Sequence, residues 1–241
     1  KNNQIYIVLT TPLTSNHPGS KWLLNHGDGV VDIALNVENS KDAYESCIDR
    51  GASSNNDFKS IKDKNGLYET ASIKTYGEVV HSFINNSKYN GIWAPGYVKL
   101  DNIIINKEDT GLIRIDHIVA NVEENKMNYW RDFYENIFGF TNFVVFDETD
   151  ISTQYSSLKS RVMRSKNWKV RLPINEPAQG LKKSQIQEYL DFNNGPGVQH
   201  VALLTDDIAS SIASLRNNGL DFLNVPDTYY ENLQHRIGDI E

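Results

Sequence analysis

The chain carries the stretch Gly29-Val30-Val31-Asp32-Ile33-Ala34-Leu35, and a close copy follows as Gly197-Val198-Gln199-His200-Val201-Ala202-Leu203. After each copy, an apolar stretch with helical spacing leads to a glycine, Gly51 or Gly219, at the same distance along the chain. A third relative occupies residues 115–122 and also runs through a helical pattern to a glycine. One strand-and-helix unit has therefore been used at least twice, with a more distant relative between the copies.

One position of this repeat changes its chemistry between the copies. Asp32 holds it in the first copy, His200 in the second, and His117 in the intermediate relative. Two histidines at matching strand positions look like half of a metal site, which makes an enzyme the first hypothesis. A duplicated structural histidine would give the same pattern, so spacing alone leaves both interpretations open.

The missing part of such a site is a carboxylate. Non-haem iron is commonly held by two histidines and one Asp or Glu, with other positions open for substrate and oxygen. The pattern singles out no carboxylate for this role. Asp116 is next to His117, but neighbouring residues of a strand face opposite ways, so we expect Asp116 to be a poor co-ligand.

Composition narrows the class of protein. The net charge of −7 over 241 residues argues against a nucleic-acid partner or an anionic membrane surface. The single cysteine, Cys47, excludes an intramolecular disulfide and fits a reducing compartment. No apolar run approaches the ~20 residues of a membrane span, and the start at Lys1 is no signal peptide. We therefore expect a cytoplasmic protein.

Periodicity predicts an α+β fold of repeated βαβββ modules in two stacked domains. The domains are residues 1–108 and 109–241, with the irregular stretch 93–111 as the linker. Strands are predicted at 5–10, 30–37, 71–74, 78–84, 112–122, 143–146, 157–163, 170–173 and around His200. Helices are predicted from Ser40, as N-cap, to Gly51, from 125 to 139, at 185–192, and at 208–215 behind Asp206-Asp207.

Several longer stretches carry a family resemblance. They include Arg114-Ile115-Asp116-His117-Ile118-Val119-Ala120-Asn121-Val122, Leu172-Pro173-Ile174-Asn175-Glu176-Pro177, Lys183-Ser184-Gln185-Ile186-Gln187-Glu188-Tyr189-Leu190 and Val225-Pro226-Asp227-Thr228-Tyr229-Tyr230. On these residues, the chain resembles the 4-hydroxyphenylpyruvate dioxygenases of the vicinal-oxygen-chelate superfamily over nearly its whole length.

The resemblance implies glyoxalase-like open barrels, with residues 1–108 catalytically inert and residues 109–241 binding Fe(II). His117 and His200 match the two histidine ligands of the family. The polar groups that line the substrate pocket in this family match Ser160, Asn175, Gln185 and Gln199. The resemblance implies that the two glutamines are catalytic residues. Without the resemblance, these amides would be interpreted as ordinary capping and solvated groups.

The activity implied is conversion of 4-hydroxyphenylpyruvate, a 2-oxo acid, and O2 to homogentisate and CO2 in tyrosine and phenylalanine catabolism. The family also implies a homo-oligomer, a dimer or a tetramer. Two alternatives stay open: hydroxymandelate synthase, which hydroxylates the benzylic carbon, and a metal-free binding protein of the same fold. Asn175 favours ring hydroxylation over the first, and the pair His117 and His200 argues against the second.

The chain differs from the family pattern at its ends. The glutamate ligand of the family is expected beyond Glu241, and the opening strand and helix of the first module are expected to precede Lys1. We therefore expect both domains to be incomplete and the chain by itself not to be active.

Overall fold

A computed structural model describes residues 4–101, 109–146, 157–178 and 182–224. The first part begins with helix α1 (Pro18–His26), and a βαβββ module follows. Its elements are β1 (Leu35–Asn36), α2 (Ser40–Asp49), β2 (Ser54–Asp63), β3 (Gly66–Lys74) and β4 (Val80–Tyr89). The sheet has the order β1-β4-β3-β2, in which β1 is parallel to β4 and the other pairs are antiparallel.

The second part repeats this module. Its elements are β5 (Leu112–Asn121), α3 (Met127–Phe133) with a π-helical turn (Tyr134–Phe138), β6 (Thr141–Phe146), β7 (Ser157–Arg164) and β8 (Arg171–Ala178). After α4 (Gln185–Phe192) come β9 (Gly197–Thr205) and α5 (Ile208–Asn217). The sheet order is β6-β7-β8-β5-β9 with β5 parallel to β8, so strands β5 to β8 reproduce the arrangement of β1 to β4. The α+β fold of repeated βαβββ modules is therefore confirmed.

Side-chain caps explain where most of the helices begin. Ser184 accepts from the backbone N–H of Gln187 ahead of α4, and Asp207 accepts from that of Ser210 ahead of α5. The prediction that Ser40 caps α2 is wrong, because the cap is Asn39, which accepts from the N–H of Asp42. Ser40 is instead a fully buried first residue of the helix.

Two strand predictions need correction, and one strand is absent from the predictions. Residues 6–10 join neither sheet, and Leu9 is 89% exposed, so the continuous apolar run here does not mark a paired strand. The strand expected at 30–37 is reduced to β1 and an isolated bridge from Asp32 to Val80. Strand β2 was not predicted because it is a polar edge strand, exposed over most of its length.

The two parts of the chain share one apolar core. Trp22, Ile33, Tyr76 and Val79 pack in one cluster with residues of the second sheet and α3. That cluster also contains Ala120, Val122, Met127, Tyr134, Met163, Leu172, Ile174 and Val198. The predicted boundary at residue 108 lies outside the described residues, and the division into two domains stays a prediction. Among the helices of the described ranges, none is long and apolar enough to cross a membrane.

Candidate functional site

His117 lies on β5 and His200 on the edge strand β9, which are neighbours in the second sheet. His117 is opposite Ala202 and His200 is opposite Val119 in the antiparallel ladder of β5 and β9, so the histidines are diagonal neighbours on one face. Their ring centroids are 5.7 Å apart, with an interplanar angle of 77°. The fold therefore brings together two imidazoles that are far apart in sequence.

In both rings, the Nδ1 atom makes a hydrogen bond. His117 Nδ1 donates to Asp116 Oδ2 at 3.0 Å, and His200 Nδ1 donates to Gln199 Oε1. This leaves the Nε2 atom of each imidazole as the nitrogen able to bind a metal. A histidine ligand usually donates its other N–H to a carboxylate or carbonyl in this way, which fixes the ring orientation.

Asp116 has a different position from the one expected. The ladder shifts register between Ile115 and His117, and this bulge lets the Asp116 carboxylate lie beside the His117 ring instead of on the opposite side. Arg171 Nη1 lies 2.6 Å from Asp116 Oδ1. The hydrogen bond from His117 and the charge of Arg171 lower the pKa of Asp116, so the carboxylate stays ionised and orients His117.

The protonation state of His200 is also the one that a metal-binding histidine needs. Partial burial, and the neighbouring His117, lower the pKa of His200 below its ordinary value of 6.5. The neutral imidazole, which is the form that binds metals, is therefore favoured near neutral pH.

A second polar group on this sheet contains two of the predicted pocket residues. Ser160 is opposite Asn175 in the ladder of β7 and β8, and Asn175 is opposite Asn121 in that of β8 and β5. Asn175 Nδ2 donates to Asn121 Oδ1 at 3.4 Å. Ser160 and Asn121 are both buried. Three neighbouring strands thus each contribute one polar side chain to a row.

Asn121 is a further polar residue of this row that the sequence patterns of the repeat do not indicate. It is fully buried, and within the described ranges its Nδ2 atom has no hydrogen-bond partner. Two signals could have revealed it: an amide inside an otherwise apolar strand end, and a spacing of four residues from His117, which favours the same face of a strand.

The two glutamines have different surroundings. The side chain of Gln199 is hydrogen-bonded to that of His200 and therefore lies next to the histidine pair. Gln185 is the first residue of α4, is exposed, and has no hydrogen bond to another predicted site residue in the part of the chain described here. Helix α4 packs against β8 and β5, so Gln185 belongs to the same module without being joined to the site.

The donor set in the described ranges is the two imidazoles alone. No group of three or more His, Cys, Asp or Glu residues able to hold a metal occurs there. Glu176, a buried carboxylate of β8, is instead engaged by the backbone N–H of Met127 and by Lys159. The residues present therefore fit the nitrogen half of a site with two histidines and one carboxylate.

Comparison with known proteins places this geometry in a family. A model of the Glyoxalase/Bleomycin resistance protein/Dioxygenase superfamily matches residues 114–238, which include His117 and His200. The chain belongs to this superfamily. The match begins at β5 and so covers the sheet that carries the histidine pair.

Within the superfamily, the chain is similar to proteins named 4-hydroxyphenylpyruvate dioxygenase, which confirms the resemblance found in the sequence. It is 43% identical to that of Dictyostelium discoideum, with 98% of this chain and 65% of the relative covered. It is 37% identical to that of Danio rerio, with 98% and 61% covered. The chain thus spans a little under two thirds of the length of these relatives.

Solved structures agree on the fold. A triple mutant of 4-hydroxymandelate synthase from Streptomyces coelicolor superposes with a TM-score of 0.74 at 21% identity, covering 92% of this chain and 63% of that one. A fusion of a xylose isomerase-like TIM barrel with 4-hydroxyphenylpyruvate dioxygenase gives a TM-score of 0.63 at 22% identity, covering 92% and 33%. At these identities the likeness supports the vicinal-oxygen-chelate fold and not a particular activity.

Proposed function

We propose that the protein is an Fe(II)-dependent 4-hydroxyphenylpyruvate dioxygenase, which converts 4-hydroxyphenylpyruvate and O2 to homogentisate and CO2 in tyrosine catabolism. The observation that carries the proposal is the pair His117 and His200, with rings 5.7 Å apart on one sheet face. The similarity to the enzymes of that name supports the choice of reaction.

In this proposal, the Nε2 atoms of His117 and His200 hold the metal, and a glutamate outside the described ranges completes the set. Bound Fe(II) supplies a chelation point for the 2-oxo acid and the redox chemistry of O2. Asp116 keeps the His117 ring oriented by accepting its Nδ1–H, and Arg171 holds Asp116 in place. Gln199 performs the corresponding task for His200.

The polar residues of the sheet would bind the substrate. Asn175 and Ser160 offer an amide and a hydroxyl on the face of β7 and β8, and Gln185 and Gln199 offer further amides. The substrate has a phenol at one end and a 2-oxo carboxylate at the other, so uncharged donors and acceptors can orient both ends. We also propose that the protein is a cytoplasmic homo-oligomer, a dimer or a tetramer, whose iron domain begins near residue 109.

The test is an anaerobic iron titration followed by turnover, using the complete protein encoded by the gene. We expect iron-dependent formation of homogentisate and CO2, and we expect His200→Ala to lose iron and product together. His17→Ala is the matched control, because His17 is an exposed histidine remote in sequence from the pair. Hydroxymandelate as the main product would instead support the synthase, and turnover without iron would contradict the proposal.

Replacing Asn175 should change how the aromatic ring is presented rather than how iron is held. We expect Asn175→Ala to bind iron normally, to form homogentisate more slowly and to consume some O2 without ring hydroxylation. The measurement is homogentisate and CO2 formed per O2 consumed, compared with the wild type. An unchanged rate and an unchanged yield would remove Asn175 from the pocket.

A further inference from the structure

The strand that carries His200 begins at a turn that the first part of the chain contacts directly. The turn comprises residues 193–196, between α4 and β9, and His200 is the fourth residue of β9. Three contacts from α1 and the first module fall on this turn or on the first two residues of β9. Each of them is separate from the histidine pair.

The first contact is a hydrogen bond from His26, the last residue of α1. Its Nδ1 atom lies 2.5 Å from the carbonyl oxygen of Asn193, and both residues are buried. Because a carbonyl only accepts, Nδ1 carries the proton. The Asn193 side chain in turn donates to the carbonyls of Gly195 at 3.0 Å and Pro196 at 3.2 Å, so His26 is linked to the whole turn.

The His26 ring is also packed against an aromatic side chain. Trp22, one helical turn earlier on α1, lies against it with ring centroids 4.4 Å apart. The Oε2 atom of Glu78 is 3.7 Å from His26 Nε2, which has no hydrogen-bond partner among the described residues. The bond to Asn193 and the packing against Trp22 are therefore the contacts that fix the ring.

The second contact is made by the backbone at Gly77, between β3 and β4. Gly77 has φ of +58°, and a Cβ atom at this position would lie only 2.4 Å from the carbonyl oxygen of Pro196. The two backbones therefore touch at a point where only glycine fits.

The third contact is apolar. Trp22, Tyr76 and Val79 of the first part share one buried cluster with Val198, the second residue of β9. Val198 is two positions before His200, and Gly197 is paired with Asn121 of β5. A displacement of the turn would therefore be passed directly to the strand segment that sets the position of His200 relative to His117.

We propose that His26 is a positioning residue for the metal site. In this view, the first module has Asp32 at its own repeat position but still serves the site by anchoring the turn before β9. The inference rests on the proposed function, since it assigns His26 a role in holding His200 beside His117. Groups that orient metal ligands from outside the first coordination sphere affect metal affinity in the same way.

The test compares His26→Asn with His26→Leu. The Asn side chain can place its Nδ2–H where His26 Nδ1–H lies, whereas Leu has a similar size and no donor. In the metal-free protein, we expect amide hydrogen exchange in 197–203 to be about tenfold faster in His26→Leu, as for loss of one buried hydrogen bond. In a Co(II) titration, we expect His26→Leu to bind about tenfold more weakly than the wild type. His26→Asn should stay close to the wild type in both measurements.

The control is His17→Ala, at the opposite end of the same helix. His17 is exposed and its Nδ1 atom accepts from the N–H of Gly19, so this variant weakens the start of α1 without touching the turn. Equal exchange in β9 for His26→Leu, His26→Asn and the wild type would overturn the positioning role, as would equal damage from His17→Ala. Failure of the wild type to bind Co(II) would instead overturn the metal site itself.

Discussion

Asp32 occupies in the first module the position that His117 and His200 occupy in the later units, and its carboxylate has a structural use. It accepts from the backbone N–H of Ser82 at 3.1 Å and from the Ser82 hydroxyl at 2.6 Å. Burial beside β4 raises the pKa of Asp32, because a buried carboxylate loses the solvation of its charged form. The same position of the repeat therefore holds a residue that supports strand pairing in the first unit, and a histidine of the pair in the other two.

Replacing Asp32 should therefore affect stability and leave metal binding intact. We expect Asp32→Ala to lower the free energy of unfolding by about 1–3 kcal/mol, because the Ser82 N–H loses its side-chain acceptor. Ser82→Ala, which removes only the hydroxyl, should cost less. Urea unfolding and the bound-metal content of the complete protein check this. A large loss of bound metal in Asp32→Ala would show that the first module takes part in the site.

His81 predicts a pH dependence of stability. Its Nδ1 donates to the carbonyl of Ile33 at 3.1 Å, and its Nε2 accepts from the Tyr134 hydroxyl at 2.7 Å, so the buried ring is neutral. Burial lowers the pKa of His81 from 6.5 to about 4. The unfolded chain therefore binds more protons than the folded one between these values, and stability falls as pH is lowered through that window.

The expected loss from this histidine between pH 7 and pH 5 is about 2 kcal/mol, at about 1.4 kcal/mol for each pH unit below 6.5. The measurement is the difference in unfolding free energy between the two pH values, for the wild type and for His81→Gln. The Gln variant should be less stable at pH 7 but lose less on acidification. Parallel pH profiles for the two proteins would contradict the assignment.

At this scale, part of the candidate site could be predicted from the sequence. His117 and His200 were found because they recur at one position of a repeated strand. The role of Asp116 could not be predicted, because it depends on a bulge that only the pairing of β5 with β9 creates. The same holds for His26, which is brought to Asn193 by packing between distant parts of the chain.

At the scale of elements, predictions succeeded where amphipathic pattern and capping signals agree. Helix α4 begins and ends at the predicted residues because Ser184 provides a cap and Ile186 and Leu190 provide the buried face. Strand β2 has no such signal, since as an edge strand its residues mostly face solvent and its partner β3 supplies the hydrogen bonds. The predicted long helix toward Gly139 changes to a π-helical turn, a detail that periodicity does not predict.

That π-helical turn is tied to α2 by a charged donor. Arg50 Nη1 donates to the carbonyl of Ile137 at 3.0 Å, beside the buried Cys47 of α2. Burial raises the pKa of the Cys47 thiol to about 11, so the folded protein should react very slowly with thiol reagents near neutral pH.

Loss of Arg50 should loosen this contact. We expect Arg50→Ala to lower the unfolding free energy by about 1–3 kcal/mol, since a partly buried carbonyl loses a charged donor, and to speed the labelling of Cys47. Arg131→Ala is the control, because Arg131 bonds to Asn128 and Asp132 of its own helix region at the surface. Labelling of Cys47 with a disulfide reagent measures the opening. Similar labelling rates in both variants would contradict a specific contact between α2 and the turn.

At the scale of the whole molecule, the two parts share buried apolar clusters. Trp22 and Tyr76 from the first part pack with Met127, Ile174 and Val198 from the second, so each part would expose apolar surface without the other. Burial of apolar surface is the main favourable contribution to folding, and here it is shared between the parts. We therefore expect one cooperative unfolding transition rather than one for each predicted domain.

Trp22→Ala tests this coupling, since Trp22 belongs to the first part but packs with residues of the second. Removing a large buried side chain typically costs about 3–5 kcal/mol. We expect both sheets to lose amide protection together, with a single lowered midpoint in urea. Leu24→Ala is the control on the same helix, because Leu24 is 87% exposed and should be nearly neutral. Two separate transitions, in which β5 to β9 keep the wild-type midpoint, would show that the second sheet folds independently and that the anchoring of β9 by the first part is dispensable.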